Sequence, residues 1–178
     1  MISKVANKMA VWLIDRSPNA RYSVATIEFI LIIILNVLLT IFISLPIALI
    51  LGHFIETAVI LFASYILRQY SGGYHMSKSW KCIVTTVILS NVIPYIHLST
   101  NTVLILTGVS AILAAIFAPS RIELDTVIPK SEYKYLRILS VQIIFFNFIF
   151  LSPVLAVTFA LQSISLIRLP HKEVITLG

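Results

Sequence analysis

The sequence predicts an all-α, polytopic membrane helix bundle, on three observations. First, 59% of the 178 residues are apolar, only 11% are charged, and mean hydropathy is +1.01. A water-soluble domain carries about a quarter charged residues, so there is too little polar surface here to coat a globule in water. Second, the apolar residues fall in long runs such as Phe29–Leu51, interrupted only by Asn, Thr, Ser and Pro. Runs of about 18 or more such residues read as bilayer spans. Third, the basic residues cluster between those runs rather than within them.

The elements follow in order. In Met1–Arg16, Ile2, Val5, Met9, Trp12 and Leu13 recur at helical spacing, with Lys4, Lys8 and Asp15 on other faces. That pattern predicts an interfacial amphipathic helix ended by Ser17-Pro18-Asn19, and residues 1–23 are read as this helix and its linker. No secretory leader is expected, because no short apolar core with a cleavage site precedes residue 24. Ile27–Leu67 is twice as long as one hydrocarbon crossing and must turn back, at Ser44-Leu45-Pro46 or at Gly52-His53. Spans are placed at 27–44 and 47–67, which puts Glu28 at the inner edge of the first and Glu56 in the middle of the second. Further spans are expected at 82–98 and 102–118, joined by Ser99-Thr100-Asn101. Residues 138–167, broken at Ser152-Pro153, form one tilted span or two short ones.

Charge placement favours two. With about six spans and both termini cytoplasmic, the inner segments hold Lys4, Lys8, Arg16 and Arg21; then Arg68, Lys78 and Lys81; then Arg121, Lys130, Lys134 and Arg137; then Arg168 and Lys172. These are all 13 basic residues, and the outer turns hold none. Five spans would put Arg168 and Lys172 outside, against the positive-inside bias. The whole chain, 1–178, is read as one integral membrane domain, with cytoplasmic loops at 68–81 and 119–137. The net charge of +6 is a topology signal, and no nucleic-acid partner is expected, since no basic cluster is interleaved with aromatics. His53, His75, His97 and His171 are too scattered for a metal site, no phosphate-binding glycine loop occurs, and no cofactor or metal is expected.

One loop differs in kind: Arg68-Gln-Tyr-Ser-Gly72-Gly73-Tyr-His75-Met-Ser-Lys-Ser-Trp-Lys-Cys82. Adjacent glycines admit positive φ or close approach of another backbone. His75 and the single cysteine, Cys82, follow. On one continuous helix the two side chains would lie about 10 Å apart along the axis, beyond the reach of proton transfer. A working pair therefore needs His75 on the loop, folded back toward a helix that starts near Ser77 or Ser79, either of which can cap it. Cys82 would then sit in or near the first turn, where unpaired N–H groups, the helix dipole, Lys78 and Lys81 favour a thiolate and can hold an oxyanion. His75 would serve as base and then as acid. A carboxylate to orient it is missing from the segment; Glu123, Asp125 and Glu56 are the candidates elsewhere. A lone cysteine in an apolar chain is more often filler, and residue chemistry alone does not settle the choice.

The pattern Arg68-x-x-x-Gly72-Gly73-Tyr74-His75, followed by Ser77, Ser79 and Cys82, resembles the signature of the accessory gene regulator protein B family. Those proteins are membrane cysteine peptidases that process precursors of cyclic autoinducing peptides in quorum sensing. Ala118-Pro119, Pro129-Lys130 and Lys134-Tyr-Leu-Arg137 resemble that family's second cytoplasmic loop. The resemblance implies Cys82 as nucleophile and His75 as its partner, supported by Arg68, Gly72, Gly73 and Ser77, in a multi-pass protein of the bacterial cell membrane. It further implies a membrane-associated precursor peptide with an acidic C-terminal tail, cleaved through a Cys82 thioester that a Cys or Ser of the peptide displaces to close a thiolactone or lactone. Lys78, Lys130, Lys134 and Arg137 are the residues that would attract such a tail. Self-association into a homo-oligomer is compatible with so small a bundle.

The competing reading is a small transporter or exporter in which Cys82 is incidental. Its path would be lined by His53 and Glu56, an intramembrane carboxylate being costly and usually facing protein or water. Asn91 and Asn147 are expected to make interhelical hydrogen bonds.

Overall fold

The computed structural model describes residues 2–16, 23–74, 79–120 and 129–167, the side chains of Ser79 and Lys130 excepted. Among these residues the chain is all helical and contains no strand. The helices are α1 (Ile2–Asp15), α2 (Val24–Leu51), α3 (Phe54–Ser71), α4 (Ser79–Val92), α5 (Thr100–Phe117), α6 (Tyr133–Phe145), its one-turn continuation α7 (Asn147–Phe150), and α8 (Pro153–Ser165). Three stretches are long and apolar enough to cross a membrane: Val24–Leu51, Thr100–Phe117 and Tyr133–Phe150. The chain resolves into two compact units, residues 1–58 with 75–94, and residues 59–74 with 95–178.

In the first unit, Ser23 caps α2 by accepting from the Thr26 N–H at 3.2 Å. The expected break at Ser44-Leu45-Pro46 does not occur. Helix α2 runs through Pro46 to Leu51, because a membrane helix tolerates the one hydrogen bond a proline removes. It ends at Gly52, whose φ of 79° lies in the left-handed region and whose N–H turns back onto the carbonyls of Ala48 and Leu49. A glycine there stops a helix without a Cβ penalty. Moving the turn to Gly52-His53 also moves Glu56. It is exposed, in the first turn of α3, where the helix dipole favours a carboxylate, and not in the middle of a span.

Helix α1 packs on α2 through Ala6 and Ala10, both fully buried, and Asn7 donates to Glu28 at 2.6 Å. Val5, Met9, Trp12 and Leu13 are left exposed, the outward apolar face that an interfacial helix presents to lipid. Arg16 lies 4.4 Å from the centre of the Trp12 ring. Further along α2 the outward residues are apolar, with Ile50 85% exposed. The polar residues turn inward: Ser90 of α4 donates to Ser44 of α2 at 3.2 Å, and Thr57 donates to the Ser90 carbonyl at 3.1 Å. Such a distribution, apolar outside and small polar groups between helices, suits lipid as the solvent.

The expected span at 82–98 is cut short. Helix α4 ends at Val92 and Ile93–Tyr95 is a 3-10 turn, because Pro94 disfavours helical geometry at the residue before it.

In the second unit, Ser99, in the expected joint at Ser99-Thr100-Asn101, caps α5 by accepting from the Thr102 N–H at 3.3 Å. Leu67, Ala111, Ala114, Ala118, Ile144, Phe159 and Leu166 form the core. Residues 138–167 resolve into two pieces on either side of Leu151, which has a φ of 48°. Asn147, fully buried, fastens this bend. It donates to Thr107 Oγ1 at 3.0 Å and to the Ser152 carbonyl at 3.2 Å, and accepts from the Ser152 N–H at 3.1 Å. Asn91, by contrast, bonds within its own helix, to the Val87 carbonyl at 2.9 Å. Helix α6 begins at Tyr133, five residues before the expected span, so Lys134 and Arg137 lie in its first turns rather than in a loop.

Candidate functional site

The Gly-Gly segment is where the second unit gathers its polar contacts. Helix α3 ends at Ser71, with the Gly72 N–H bonded to the Arg68 carbonyl at 2.9 Å. The backbone then takes φ of 67° at Gly72 and 133° at Gly73, both in the region that favours glycine. This sharp departure carries the chain against Ser120. Gly73 donates its N–H to the Ser120 carbonyl, and Ser120 donates to the Ser71 carbonyl, each at 2.9 Å. Gly72 and Ser120 thereby form an isolated parallel bridge.

The C-terminal end of α8 closes the other side. Gln162 Nε2 donates to the Gly72 carbonyl at 2.7 Å and to Ser71 Oγ at 3.2 Å. The Tyr74 N–H donates to the Ser165 carbonyl at 3.1 Å. Gly73 is buried so closely that a Cβ on it would lie 2.8 Å from Ser165 Oγ and 3.1 Å from Gln162 Nε2. Arg68 reaches over the turn and donates from its guanidinium to the Tyr74 carbonyl at 2.8 Å. Below Ser120, Arg137 Nε donates to the Ala118 carbonyl at 2.7 Å. The result is a clasp in which the last described residues before His75 are bonded to three other parts of the unit.

This accounts for three of the residues singled out in the sequence. Arg68 and Gly73 act on the backbone of the loop, and Gly72 supplies both a left-handed turn and an accepting carbonyl. Arg137, expected to attract substrate, spends Nε on the chain at Ala118; Lys134 Nζ lies 4.9 Å from the centre of the Tyr135 ring. Ser120, Gln162 and Ser165 were not identified from the sequence. Gln162 carried the one usable signal, a long amide side chain in an otherwise apolar helix, where such groups bond across helices.

Cys82 belongs to the first unit and is half-buried, with a free thiol. It is the fourth described residue of α4, and residues 75–78 before that helix lie outside the described residues. Lys81 is exposed beside Cys82, with Nζ 5.9 Å from the centre of the Trp80 ring. His75, Ser77, Lys78, Glu123 and Asp125, and the Lys130 side chain, lie outside the described residues. Glu56 does not suit the role of third catalytic residue. Its neighbour Thr57 bonds to Ser90, which is eight residues, about 12 Å, along α4 from Cys82.

No match was found among curated proteins or among solved structures. The family model for accessory gene regulator B matches residues 2–176, which take in every helix above, the clasp and the Arg68–Cys82 segment, and the chain therefore belongs to the accessory gene regulator B family, which serves quorum-sensing peptide processing.

Proposed function

We propose that the chain is a membrane cysteine endopeptidase that cuts an autoinducing-peptide precursor near its C-terminal end and promotes closure of a thiolactone or lactone. His75 takes the proton of Cys82, and the thiolate attacks the scissile carbonyl. The first-turn N–H groups of α4 stabilise the oxyanion. As the tetrahedral intermediate collapses, the C–N bond breaks and His75 returns the proton to the departing amine. This leaves an acyl thioester on Cys82. A Cys or Ser of the bound peptide then attacks the thioester, loses its own proton to His75 and releases Cys82 as a thiolate. The thioester holds the acyl group at high energy, so ring closure needs no ATP, and a partly dry site limits hydrolysis.

What supports this reading is the family match over residues 2–176, which takes in Gly72-Gly73-Tyr74-His75 and Cys82, together with a half-buried free thiol at Cys82. Ser77 supports the loop, and Lys78, Lys130, Lys134 and Arg137 draw in an acidic peptide tail. The transporter reading set Glu56 in mid-span, whereas Glu56 lies in the first turn of α3.

In the membrane, α3, α4 with the turn at Ile93–Tyr95, and α8 complete six crossings with the three longer ones, both termini cytoplasmic. Helix α8 has 13 residues, about 20 Å, and needs local thinning of the bilayer. The two units are then parts of one integral domain.

The test is co-expression with a candidate precursor, monitored by mass spectrometry for a shortened, cyclised product. Cys82→Ala and His75→Ala are expected to abolish the product. Processing at an unchanged rate by Cys82→Ala would remove the peptidase reading altogether.

A further inference from the structure

Helix α1 and the start of α2 border a recess that the chemistry at Cys82 does not use. It measures about 380 Å³ and is lined by Ser3, Lys4, Asn7 and Lys8 of α1 and by Glu28 of α2. Small-ligand clefts span about 300–1,000 Å³. Lys4 and Lys8 stand one turn apart on the same face of α1, where like charges repel. Among the described residues neither ammonium is held in an ion pair; Glu28 instead accepts from Asn7 Nδ2 at 2.6 Å. Two ammonium groups and one carboxylate leave the recess one net positive charge. That balance suits a phosphodiester, with its single negative charge, better than a phosphate monoester at about −1.5 to −2. The same i, i+4 row continues from Lys8 through Trp12 to Arg16, whose guanidinium lies 4.4 Å from the centre of the Trp12 ring. Val5, Met9 and Leu13 lie beside it, exposed like Trp12. Tryptophan at such a boundary sits at the headgroup level of a bilayer. An anion in the recess is thus flanked by an apolar face that fits acyl chains, which selects a lipid over a soluble anion.

We propose that this recess is a headgroup site for an anionic phospholipid of the phosphatidylglycerol class. Lys4 and Lys8 take the phosphodiester oxygens, and Ser3 Oγ with the second N–H of Asn7 serves the headgroup hydroxyls. The Asn7–Glu28 bond holds α1 against α2, so the site is formed before the lipid arrives. Each ammonium close to an anionic bilayer surface is worth about fivefold in binding. Glu28 offsets one of the two. Lipid binding at α1 is independent of the chemistry at Cys82 and stands or falls without it.

The experiment uses the full chain purified in a neutral detergent. Native mass spectrometry counts the lipid retained from an equimolar mixture of phosphatidylglycerol and phosphatidylcholine with identical chains. Wild type is expected to retain phosphatidylglycerol over phosphatidylcholine by about fivefold. Lys4→Gln and Lys8→Gln should each bring that ratio to about one, and Lys4→Arg combined with Lys8→Arg should keep it. Glu28→Gln should raise it by about threefold. A soluble monoester, glycerol 1-phosphate, should leave the lipid in place at constant ionic strength. To locate the lipid, Trp80→Phe makes Trp12 the only tryptophan. Phosphatidylglycerol brominated on its chains should then quench Trp12 more than brominated phosphatidylcholine does. This second measurement also decides where a glutamine variant does not survive purification. Equal retention of the two lipids overturns the proposal, as does a preference that both glutamine variants keep. Displacement by glycerol 1-phosphate would mean a site for soluble anions, and equal quenching of Trp12 a lipid held away from α1; either result also overturns it.

Discussion

Gly73→Ala is the sharpest perturbation of the clasp. At φ 133° an L-residue is strained whatever the surrounding space, and the added Cβ would also sit 2.8 Å from Ser165 Oγ and 3.1 Å from Gln162 Nε2. The backbone strain costs about 1–3 kcal/mol. Pushing Gln162 away loses its bond to Gly72, worth about 0.5–1.5 kcal/mol. Together these put the clasped arrangement about 2–4 kcal/mol higher, a factor of about 30 to 1000 in its population relative to a released loop. The helices carry none of this strain once the loop lets go, so the protein should reach the membrane at its normal level. Precursor processing should fall by at least about tenfold, and trypsin should cut detergent-solubilised protein between Arg68 and Cys82 faster than in wild type. Gly52→Ala is the internal control. Its φ of 79° is also positive, but nothing lies within 4 Å of the new Cβ, so it should cost only about 1 kcal/mol and leave processing intact. If Gly73→Ala processes and resists trypsin as wild type does, the clasp is not what holds the loop.

Other consequences are as specific. Arg137→Ala removes the donor to the Ala118 carbonyl that steadies the chain entering Ser120. It should slow processing several-fold, by loss of about 1.5–3 kcal/mol of charged hydrogen bonding, whereas a role confined to attracting substrate would raise KM alone. Asn147→Ala leaves Thr107 and Ser152 without their buried partner and should lower stability by about 1–3 kcal/mol, read as earlier thermal unfolding in detergent. On a Cys82→Ala background, a cysteine at Thr100 should react with an impermeant maleimide from outside the cell, and one at Ser131 only after permeabilisation. Outside labelling at Ser131 would overturn the six-span topology.

Membrane class, the joint at Ser99-Thr100-Asn101 that α5 starts from, and the break at Ser152-Pro153 were legible in the sequence. Each rests on a local cause: a run of apolar residues, a side chain that caps its own backbone, a proline at a helix start. Where two local signals competed, the sequence could not choose. Pro46 and Gly52 both mark breaks, and only the packed helix shows that α2 passes the first and stops at the second. The start of α6 at Tyr133 was missed because its first turns are charged and read as loop.

What the sequence by itself determined is the chemistry carried by each segment and the solvent it faces, because composition, spacing and caps act within a few residues. What only the tertiary structure decided is which distant groups meet. Gly72 and Gly73 announce a turn, but a glycine pair does not say what it turns against. Ser120, Gln162 and Ser165 come from nearly 50 to more than 90 residues away, and a backbone carbonyl leaves no mark in a sequence to say which amide will find it.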